Sequence, residues 1–515
     1  MKRGKKMLMN TILLTGTALV MRSVGMAFQV YLSNKIGAAG IGLFQLIMSV
    51  SMLAATFSIS GSRFATTRLV SEELGRSNND GVKAAVRRCL IYAFCFGMAA
   101  AFLLYFGANL IGLTWIRDAR TVLSLKLLAL SLPAFSMSAV LSGYFTAVTR
   151  VIKSAAVQVI EQLVRIGVVV AALSLATNYT VETACAIIVA GGVAGEMASF
   201  LLLFVLYLHD RRRYVSHHQK TTDITKRLLN IALPLALSAY ARTALSTLEN
   251  LLVPRGFKKS GASNEKALAD YGMIQGMVFP IITFPSAFFY SLAELIVPEL
   301  TEAQVNGRTR EIRDIVGRIL YMCILFSFGV TAVMFWFSDV LGISVYKSDA
   351  VGHYIRLLAL LMPVIFMDSV TDGMLRGLGQ QMYSMFYNIL DSFISVILVY
   401  YMLPKFAVIG YIIMIYFTDI FNFTLSIRRL RAVAKFRLPV KNILKAAVCA
   451  VGAVNIAVLL LRVVGLPLAA GGLTLTVHII LSLLIYLLLL AVFRCVGRSD
   501  IKWLRSMMDM KTGVS

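Results

Sequence analysis

Two stretches decide the fold of this chain: Lys126-Leu-Leu-Ala-Leu-Ser-Leu-Pro133 and Arg356-Leu-Leu-Ala-Leu-Leu-Met-Pro363. They lie 230 residues apart, and the same shift aligns residues 42–150 with 272–380 without a gap. The aligned positions include glycines, a glutamine, a glutamate and a proline, which coincide by chance far less often than leucines do. An internal repeat of this length predicts a molecule built from two similar halves.

The composition around the repeat is that of a membrane protein. Of the 515 residues, 58% are hydrophobic and 15% are charged, whereas soluble domains are about 25% charged. This excludes a soluble enzyme and a disordered chain. The formal net charge is +25, but the basic residues separate long apolar runs instead of forming a polar basic face. We therefore expect no nucleic-acid partner.

The apolar runs predict an all-α polytopic membrane protein, because a spanning helix needs about 20 mostly apolar residues. Fourteen runs qualify, near 8–32, 41–62, 86–108, 122–147, 155–177, 183–208, 228–252, 271–298, 314–337, 352–377, 382–404, 407–427, 443–463 and 473–494. The first run follows a basic start and has no clear cleavage site, so we expect an uncleaved first helix. Three prolines and two glycines predict that the run 271–298 is bent or interrupted.

Most of the 50 basic residues fall in alternate loops or at the helix ends beside them. Because cytoplasmic loops are enriched in Lys and Arg, this bias predicts a cell-membrane protein with both termini in the cytoplasm. The shift of 230 residues passes through six spans, an even number, so the two halves keep the same orientation. The predicted domains are an N-lobe (1–208), a cytoplasmic basic linker (209–227), a C-lobe (228–430), and two further spans with a cytoplasmic tail (431–515).

Two six-helix lobes around a central cavity are typical of alternating-access transporters. Ionisable side chains inside spans are costly, and they usually face such a cavity or a partner. The predicted substrate-binding residues are Arg22, Arg63 and Arg242. Their guanidinium groups can bind phosphate or pyrophosphate oxygens in a bidentate way. Glu161 and Arg165 are i,i+4 neighbours, and either a structural ion pair or a place in the substrate site explains them.

A cation site, if the chain has one, must draw on the second half, because the first span contains no acidic residue. The candidates are Glu249, Asn388, Asp391 and Asp419, of which Asn388 and Asp391 are i,i+3 on one helix. Asp368 and Asp372 share a helix face as well. Two carboxylates held close together favour a proton or a cation between them, although hydration at the helix end is the explanation that their place in the sequence favours. The cysteines and histidines have no metal-site spacing, and we expect no cofactor.

Several motifs resemble one family. These are Glu249-Asn-Leu-Leu-Val-Pro-Arg-Gly256, Tyr271-Gly-Met-Ile-Gln-Gly-Met277, Phe284-Pro-Ser286, Leu295-Ile-Val-Pro-Glu-Leu-Thr-Glu302 and Thr67-Arg-Leu-Val-Ser-Glu-Glu-Leu-Gly75. They are similar to the stage V sporulation protein B group, within the superfamily of multidrug/oligosaccharidyl-lipid/polysaccharide exporters that also contains the lipid II flippases. The resemblance covers essentially the whole chain and includes the count of fourteen spans.

This resemblance implies a MATE-like fold and the flipping of an undecaprenyl-pyrophosphate-linked saccharide, such as a peptidoglycan precursor, for spore cortex or cell-wall synthesis. It also implies coupling to sodium or protons, with Asn388, Asp391 and Asp419 similar in helix and type to a sodium site in the lipid II flippases. We expect a monomer whose partners are the lipid-linked substrate, membrane lipids and cell-wall enzymes. Two alternatives stay open: a cation-coupled multidrug exporter of the same fold, and a non-transporting scaffold for cell-wall assembly.

Overall fold

The computed structural model describes residues 2–176, 179–212, 223–466 and 472–497, and every regular element within these ranges is helical. Helices are expected because lipid offers no hydrogen-bond partners, and a helix satisfies its backbone groups within one segment. The helices are α1 (Lys2–Ile59), α2 (Ser62–Gly75), α3 (Asn79–Leu110), α4 (Val122–Ala147), α5 (Val151–Leu175), α6 (Val181–Arg211), α7 (Ile224–Lys259), α8 (Asn264–Tyr271), α9 (Phe279–Thr283), α10 (Ala287–Val305), α11 (Thr309–Trp336), α12 (Ser338–Tyr346), α13 (Asp349–Ala359), α14 (Met362–Gly377), α15 (Gln381–Ala434), α16 (Val440–Val463) and α17 (Gly472–Val492).

Among the described residues, 11 helices are long and apolar enough to cross a membrane, or 12 if the bent pair α13 and α14 forms one span. The predicted number was fourteen, and it stays a prediction. Two long helices account for the difference between 12 and fourteen spans. The 58 residues of α1 are interrupted at Gly37, and the 54 residues of α15 are interrupted at Ala407, where the backbone is non-helical. Each of these helices covers two of the predicted spans.

The chain packs into two compact units. The first unit comprises residues 39–258 and 263–269, and the second unit comprises 1–38, 259–262 and 270–515. These units assign the start of α1 to the second unit and nearly all of α7 to the first, whereas the predicted lobes end at 208 and begin again at 228. The lobes therefore stay a prediction from the repeat. Residues 213–222 of the predicted linker and the tail beyond 497 lie outside the described ranges.

The 230-residue repeat is visible in the backbone. Left-handed residues occur at equivalent places in the two copies: Ser77 and Gly307, Arg117 and Lys347, Thr149 and Gly379. In the first copy the Asp118 amide donates to the Gly112 carbonyl at 2.9 Å. In the second copy the Ser348 amide donates to the Gly342 carbonyl at 3.2 Å. The same turns thus recur at the same offset, which confirms the predicted internal repeat.

The region predicted to be bent, 271–298, is interrupted twice. A π-helical turn over Gly272–Val278 separates α8 from α9, and a 3₁₀ turn over Phe284–Ser286 separates α9 from α10. Pro280 lies in the first turn of α9, and Pro285 lies at the start of the 3₁₀ turn. A missing backbone N–H costs no hydrogen bond at the start of a helix. A third break lies between α13 and α14, which are bent by 59° just before Pro363.

Candidate functional site

A cluster of carboxylates and amides lies within the second unit. We call it the acidic cluster, and its members are Asp368 and Asp372 on α14 with Ser384, Asn388, Asp391, Asp419 and Asn422 on α15. Asn388 and Asn422 are 34 residues apart, which corresponds to about 51 Å along a straight helix. The Nδ2 atom of Asn422 nevertheless lies 3.5 Å from Oδ1 of Asn388. The break at Ala407 therefore folds the second half of α15 against the first.

Hydrogen bonds connect α14 to both halves of α15. The Ser384 hydroxyl donates to Asp372 Oδ1 at 2.7 Å, and the Asn388 amide donates to Asp372 Oδ2 at 3.3 Å. The Asn422 amide donates to Asp368 Oδ2 at 3.2 Å. Both α14 aspartates thus accept hydrogen bonds from α15 side chains. The explanation that they are only hydrated at a helix end does not describe their environment.

Several oxygens of the acidic cluster are buried and accept no hydrogen bond from any described residue. They are Oδ1 of Asp368, Oδ1 of Asp391 and Oδ1 of Asn422. Buried polar atoms normally have a partner, because leaving one unsatisfied costs about 1–3 kcal/mol. Asn422 is 6% exposed, so bulk water does not readily satisfy it. Carboxylate and amide oxygens left in this way can accept a proton or coordinate a hard cation.

The acidic cluster contains four carboxyl groups and no basic partner among the described residues. Asp372, Asp391 and Asp419 all lie close enough to Asp368 to interact with it electrostatically, and Asp419 lies close enough to Asp391 to do the same. No ion pair in the described part of the chain includes any of these four aspartates. Carboxylates this close in a poorly hydrated place cannot all be ionised without a compensating positive charge.

The described residues contain no group of three or more His, Cys, Asp or Glu side chains arranged to hold a metal ion. The acidic cluster therefore does not have the geometry of a multidentate metal centre. Its oxygen atoms fit a more weakly bound occupant than such a centre holds. This is a proton shared between carboxylates, or a monovalent cation bound partly by amide and hydroxyl oxygens. The predicted coupling to sodium or protons stays a prediction.

Three of the four predicted cation-site residues, Asn388, Asp391 and Asp419, meet in the acidic cluster. The fourth, Glu249, lies half-buried on α7 in the first unit, and its predicted place in a cation site stays a prediction. Sequence reasoning missed Ser384 and Asn422. The spacing of the polar residues could have indicated both. Ser384 and Asn388 are i,i+4, Asn388 and Asp391 are i,i+3, and Asp419 and Asn422 are i,i+3. Such polar stripes on apolar helices indicate one shared face.

The first unit holds a second group of buried charges. Arg165 donates to Glu161 at 3.1 Å, so the structure shows the ion pair that the i,i+4 spacing favoured. Glu196 on α6, only 8% exposed, lies within the electric field of both residues. Two carboxylates and one guanidinium therefore occupy the interface of α5 and α6. A role for Glu161 and Arg165 in substrate binding stays a prediction.

Two glycines allow α5 and α6 to approach closely enough to form this group. Gly191 and Gly195 are i,i+4 on α6, the spacing that lets helix backbones pack together in membranes. A Cβ atom at Gly195 would lie 2.9 Å from the Glu161 carbonyl oxygen. A Cβ atom at Gly191 would lie 3.1 Å from the Arg165 carbonyl oxygen. The sequence thus brings the backbone of α6 directly against the turn that carries the ion pair.

The three predicted substrate arginines have exposed side chains. Arg22 lies on α1 in the second unit, and Arg63 and Arg242 lie on α2 and α7 in the first unit. Arg22 takes part in an interaction with another group. The predicted convergence of all three on one central cavity stays a prediction.

Arg63 and Arg242 flank one helix junction of the first unit. A Cβ atom at Gly61, which has φ 71°, would meet the Ala232 carbonyl oxygen at 2.6 Å. Eleven residues further along α7, the Thr243 hydroxyl lies 3.3 Å from that of Thr56. Both arginines are exposed.

Comparison with known proteins agrees with the helical architecture. Residues 7–288 match the family model described as polysaccharide biosynthesis protein, and residues 261–402 match the MatE model. Over 411 residues the chain is 25% identical to stage V sporulation protein B of Bacillus subtilis (strain 168), covering 78% of this chain and 79% of that protein.

Two solved structures share the fold. One is the lipid II flippase MurJ in an inward closed conformation, with a TM-score of 0.70 and 14% identity, covering 94% of this chain and 98% of that one. The other is an inward-facing multidrug resistance MATE transporter, with a TM-score of 0.61 and 13% identity, covering 82% and 99%. The chain, a multi-pass membrane protein, belongs to the polysaccharide biosynthesis protein family.

Proposed function

We propose that this protein flips a lipid-linked saccharide bearing a pyrophosphate, such as a peptidoglycan precursor, across the cytoplasmic membrane. The observation that carries the proposal is the exposure of Arg22 and Arg242 on long apolar helices, together with the exposed Arg63 on the polar helix α2. An arginine is costly against acyl chains, so such residues usually face a polar cavity or a substrate. Guanidinium groups bind phosphate oxygens through paired hydrogen bonds. Family membership and the resemblance to lipid II flippases support the same substrate class.

The acidic cluster supports a coupling role in this proposal. Transport against a gradient needs a site whose occupancy changes the relative free energies of two conformations. Uptake of a proton or a monovalent cation by Asp368, Asp391 and Asp419 would neutralise charges that otherwise repel one another. The fold-back of α15 at Ala407 links this neutralisation to the packing of α14 against α15. Loss of the cation would loosen that packing.

Reconstitution of the full chain into liposomes tests the flippase proposal. The probe is a fluorescent undecaprenyl-pyrophosphate-linked saccharide whose outer-leaflet fraction is measured by chemical quenching. We expect wild-type protein to accelerate flipping, and the double variant Arg22→Ala/Arg242→Ala to lose at least tenfold of that rate. The matched control is Arg310→Ala/Arg428→Ala, which removes two exposed arginines elsewhere in the second unit. Equal flipping by wild type and the Arg22→Ala/Arg242→Ala variant would refute the proposal.

A second candidate, cation-coupled multidrug export, is favoured by the match of residues 261–402 to the MatE model. It places the acidic cluster, not the arginines, at the centre of transport. The same liposomes distinguish the two candidates. Export predicts ion-driven accumulation of a lipophilic cationic dye that Asp391→Asn abolishes and Arg22→Ala/Arg242→Ala leaves unchanged. Flipping predicts that the dye does not accumulate while the lipid-linked probe moves.

A further inference from the structure

A basic cavity of about 1080 Å³ opens in the first unit where α3 begins, α6 ends and α7 begins. Five cationic side chains line it: Lys83, Arg87, Arg88, Arg211 and Lys226. None of the five takes part in an ion pair within the described part of the chain. Two aspartates, Asp80 and Asp223, also line the cavity, which leaves an excess of positive charge.

Helix ends add to this positive potential. The first turn of α3 contributes Asp80 to the lining, and the first turn of α7 contributes Ile224, Thr225 and Lys226. The N-terminal end of a helix carries a partial positive charge and backbone N–H groups that bind anions. The two helix beginnings therefore add to the charge of the basic side chains, whereas the single helix end, that of α6, opposes it.

The other wall of the cavity is apolar. Leu90 and Ile91 on α3, and Phe204 and Leu208 on α6, line it beside the basic residues. The exposed apolar surface continues along the same helices, where Phe94 is 47% exposed and Val205 is 61% exposed. The cavity is thus amphipathic, with cations at the helix ends and exposed apolar side chains on the parts of the helices that enter the membrane.

The position of the cavity along the helices agrees with the depth of a lipid headgroup. The apolar stretch that contains α3 runs for 38 residues, Asn79–Ile116. Such a stretch is about 57 Å long, whereas the hydrocarbon core is about 30 Å thick. Its first turns, which carry Lys83, Arg87 and Arg88, therefore lie at or beyond the headgroup region. The sequence predicts that this face is cytoplasmic.

We propose that this cavity binds the headgroup of an anionic membrane phospholipid, with its acyl chains along the exposed apolar faces of α3 and α6. Basic pockets between membrane helices are suited to phosphate-rich headgroups such as that of cardiolipin. The excess of three positive charges fits a headgroup with two phosphates better than one with a single phosphate. The chain's own segment 213–222 contains no acidic residue, so it cannot neutralise the cavity. The site is independent of the proposed transport activity.

Native mass spectrometry of the full chain tests the proposal. The protein is titrated with cardiolipin, phosphatidylglycerol and phosphatidylcholine in separate arms. We expect cardiolipin to bind at least tenfold more tightly than phosphatidylcholine, with phosphatidylglycerol between them. The variant Lys83→Gln/Arg87→Gln/Arg88→Gln should lose at least tenfold of the cardiolipin affinity. The control Arg310→Gln/Arg428→Gln/Arg431→Gln, which changes three exposed arginines of the second unit, should keep it.

A second variant and a soluble competitor keep the proposal falsifiable. Arg211→Gln/Lys226→Gln removes cations from α6 and α7 without altering α3, and it too should weaken cardiolipin binding. Inorganic phosphate at millimolar concentration should not displace the lipid, because it cannot occupy the apolar wall. Unchanged cardiolipin affinity in both variants, or displacement by phosphate alone, would overturn the proposal. In the latter case the cavity binds a soluble anion.

Discussion

The side-chain amide of Asn422 donates a hydrogen bond of 3.2 Å to Asp368, a residue on another helix and 54 positions earlier in the chain. This contact ties the far half of α15 to α14. The other amide atom, Oδ1 of Asn422, is buried without a hydrogen-bond partner among the described residues. Asn422 thus holds an aspartate in place with one atom and leaves an oxygen ligand open with the other.

The first prediction concerns sodium and this residue. If the acidic cluster binds a monovalent cation, sodium stabilises the folded protein, by about 2.7 kcal/mol at 100 times its Kd. We expect the apparent Tm of the detergent-solubilised protein to rise when sodium chloride replaces choline chloride at constant ionic strength. Asn422→Leu should reduce that rise, and Asp391→Asn should abolish it.

The control for this prediction is Asp349→Asn, which removes an exposed carboxylate from the first turn of α13. It should keep the full sodium response. A Tm that responds to pH but not to sodium would indicate a proton in place of the metal ion. A Tm of the wild type that responds to neither would contradict a coupling role for the acidic cluster.

The second prediction concerns the contact between α5 and α6. Gly195→Ala should destabilise the protein by about 1–3 kcal/mol, because overpacking forces two backbones apart. Gly192 is the matched control, since a Cβ atom there meets nothing within 4 Å. Gly192→Ala should be neutral or stabilising by about 0.5–1 kcal/mol, as expected for a glycine inside a helix. The apparent Tm values of the two purified variants test this prediction. Equal values would mean that the close approach of α5 and α6 at Gly195 does not contribute to stability.

The third prediction concerns the ion pair that this contact supports. Arg165→Met leaves Glu161 and Glu196 close together without a cation, so it should destabilise more than Glu161→Gln/Arg165→Met does. Arg165 is 36% exposed, so solvent screens the pair and we expect a coupling energy of about 1 kcal/mol. A double-mutant cycle on stability measures it. A coupling energy of zero would assign the pair no structural role and would strengthen the interpretation that it serves the substrate.

The fourth prediction concerns pH and Asp118, which lies between two membrane helices. Burial by itself would raise the pKa of Asp118, but hydrogen bonds from Arg120 outweigh it and hold the pKa below the ordinary 3.8. A carboxyl group with a lowered pKa stabilises the fold above its unfolded-state pKa and loses this contribution as the pH falls through the folded-state value. Asp118→Asn should therefore destabilise the protein at pH 7 and lose this effect under strongly acidic conditions.

A suitable control for Asp118 is Asp118→Ser, because Ser348 occupies the equivalent position of the second copy. Serine keeps a side-chain oxygen that can cap the following turn but carries no charge. Its stability relative to the wild type should show the same pH dependence as that of Asp118→Asn, with a smaller loss at pH 7. A pH-independent difference for both variants would show that the charge of Asp118 is not what stabilises this turn.

Much of this fold follows from the sequence, because apolar length and periodicity determine helices in lipid. The repeat, the interruptions near Pro280 and Pro285, and the Glu161–Arg165 pair were all predicted. The partners of Asp368 were not. Which face of α14 meets α15 depends on the rotation of each helix about its own axis, and packing sets that rotation. Composition alone could not show that Asn422 lies beside Asp368.

The assignment of α7 to the first unit was also beyond reach of the sequence. The repeat places α7 at the beginning of the second copy, but its contacts are with the first. The Tyr240 hydroxyl donates to Ser60 at 2.7 Å, and the Thr247 hydroxyl donates to the Ser49 carbonyl at 3.0 Å. These partners lie far away in the chain, and no local pattern indicates such long-range pairs.

The duplication relates the two α14 aspartates of the acidic cluster to uncharged residues of the first copy. The positions 230 residues before Asp368 and Asp372 are Ser138 and Ser142. Ser142 lies 3.3 Å from Ser154, and in the second copy the equivalent pair is Asp372 and Ser384. The equivalent contact is thus made by two hydroxyls in the first copy and by a carboxylate and a hydroxyl in the second. The helix packing at this point therefore does not depend on a carboxylate, and the acidic character of the second copy is a property of its side chains and not of the repeated backbone.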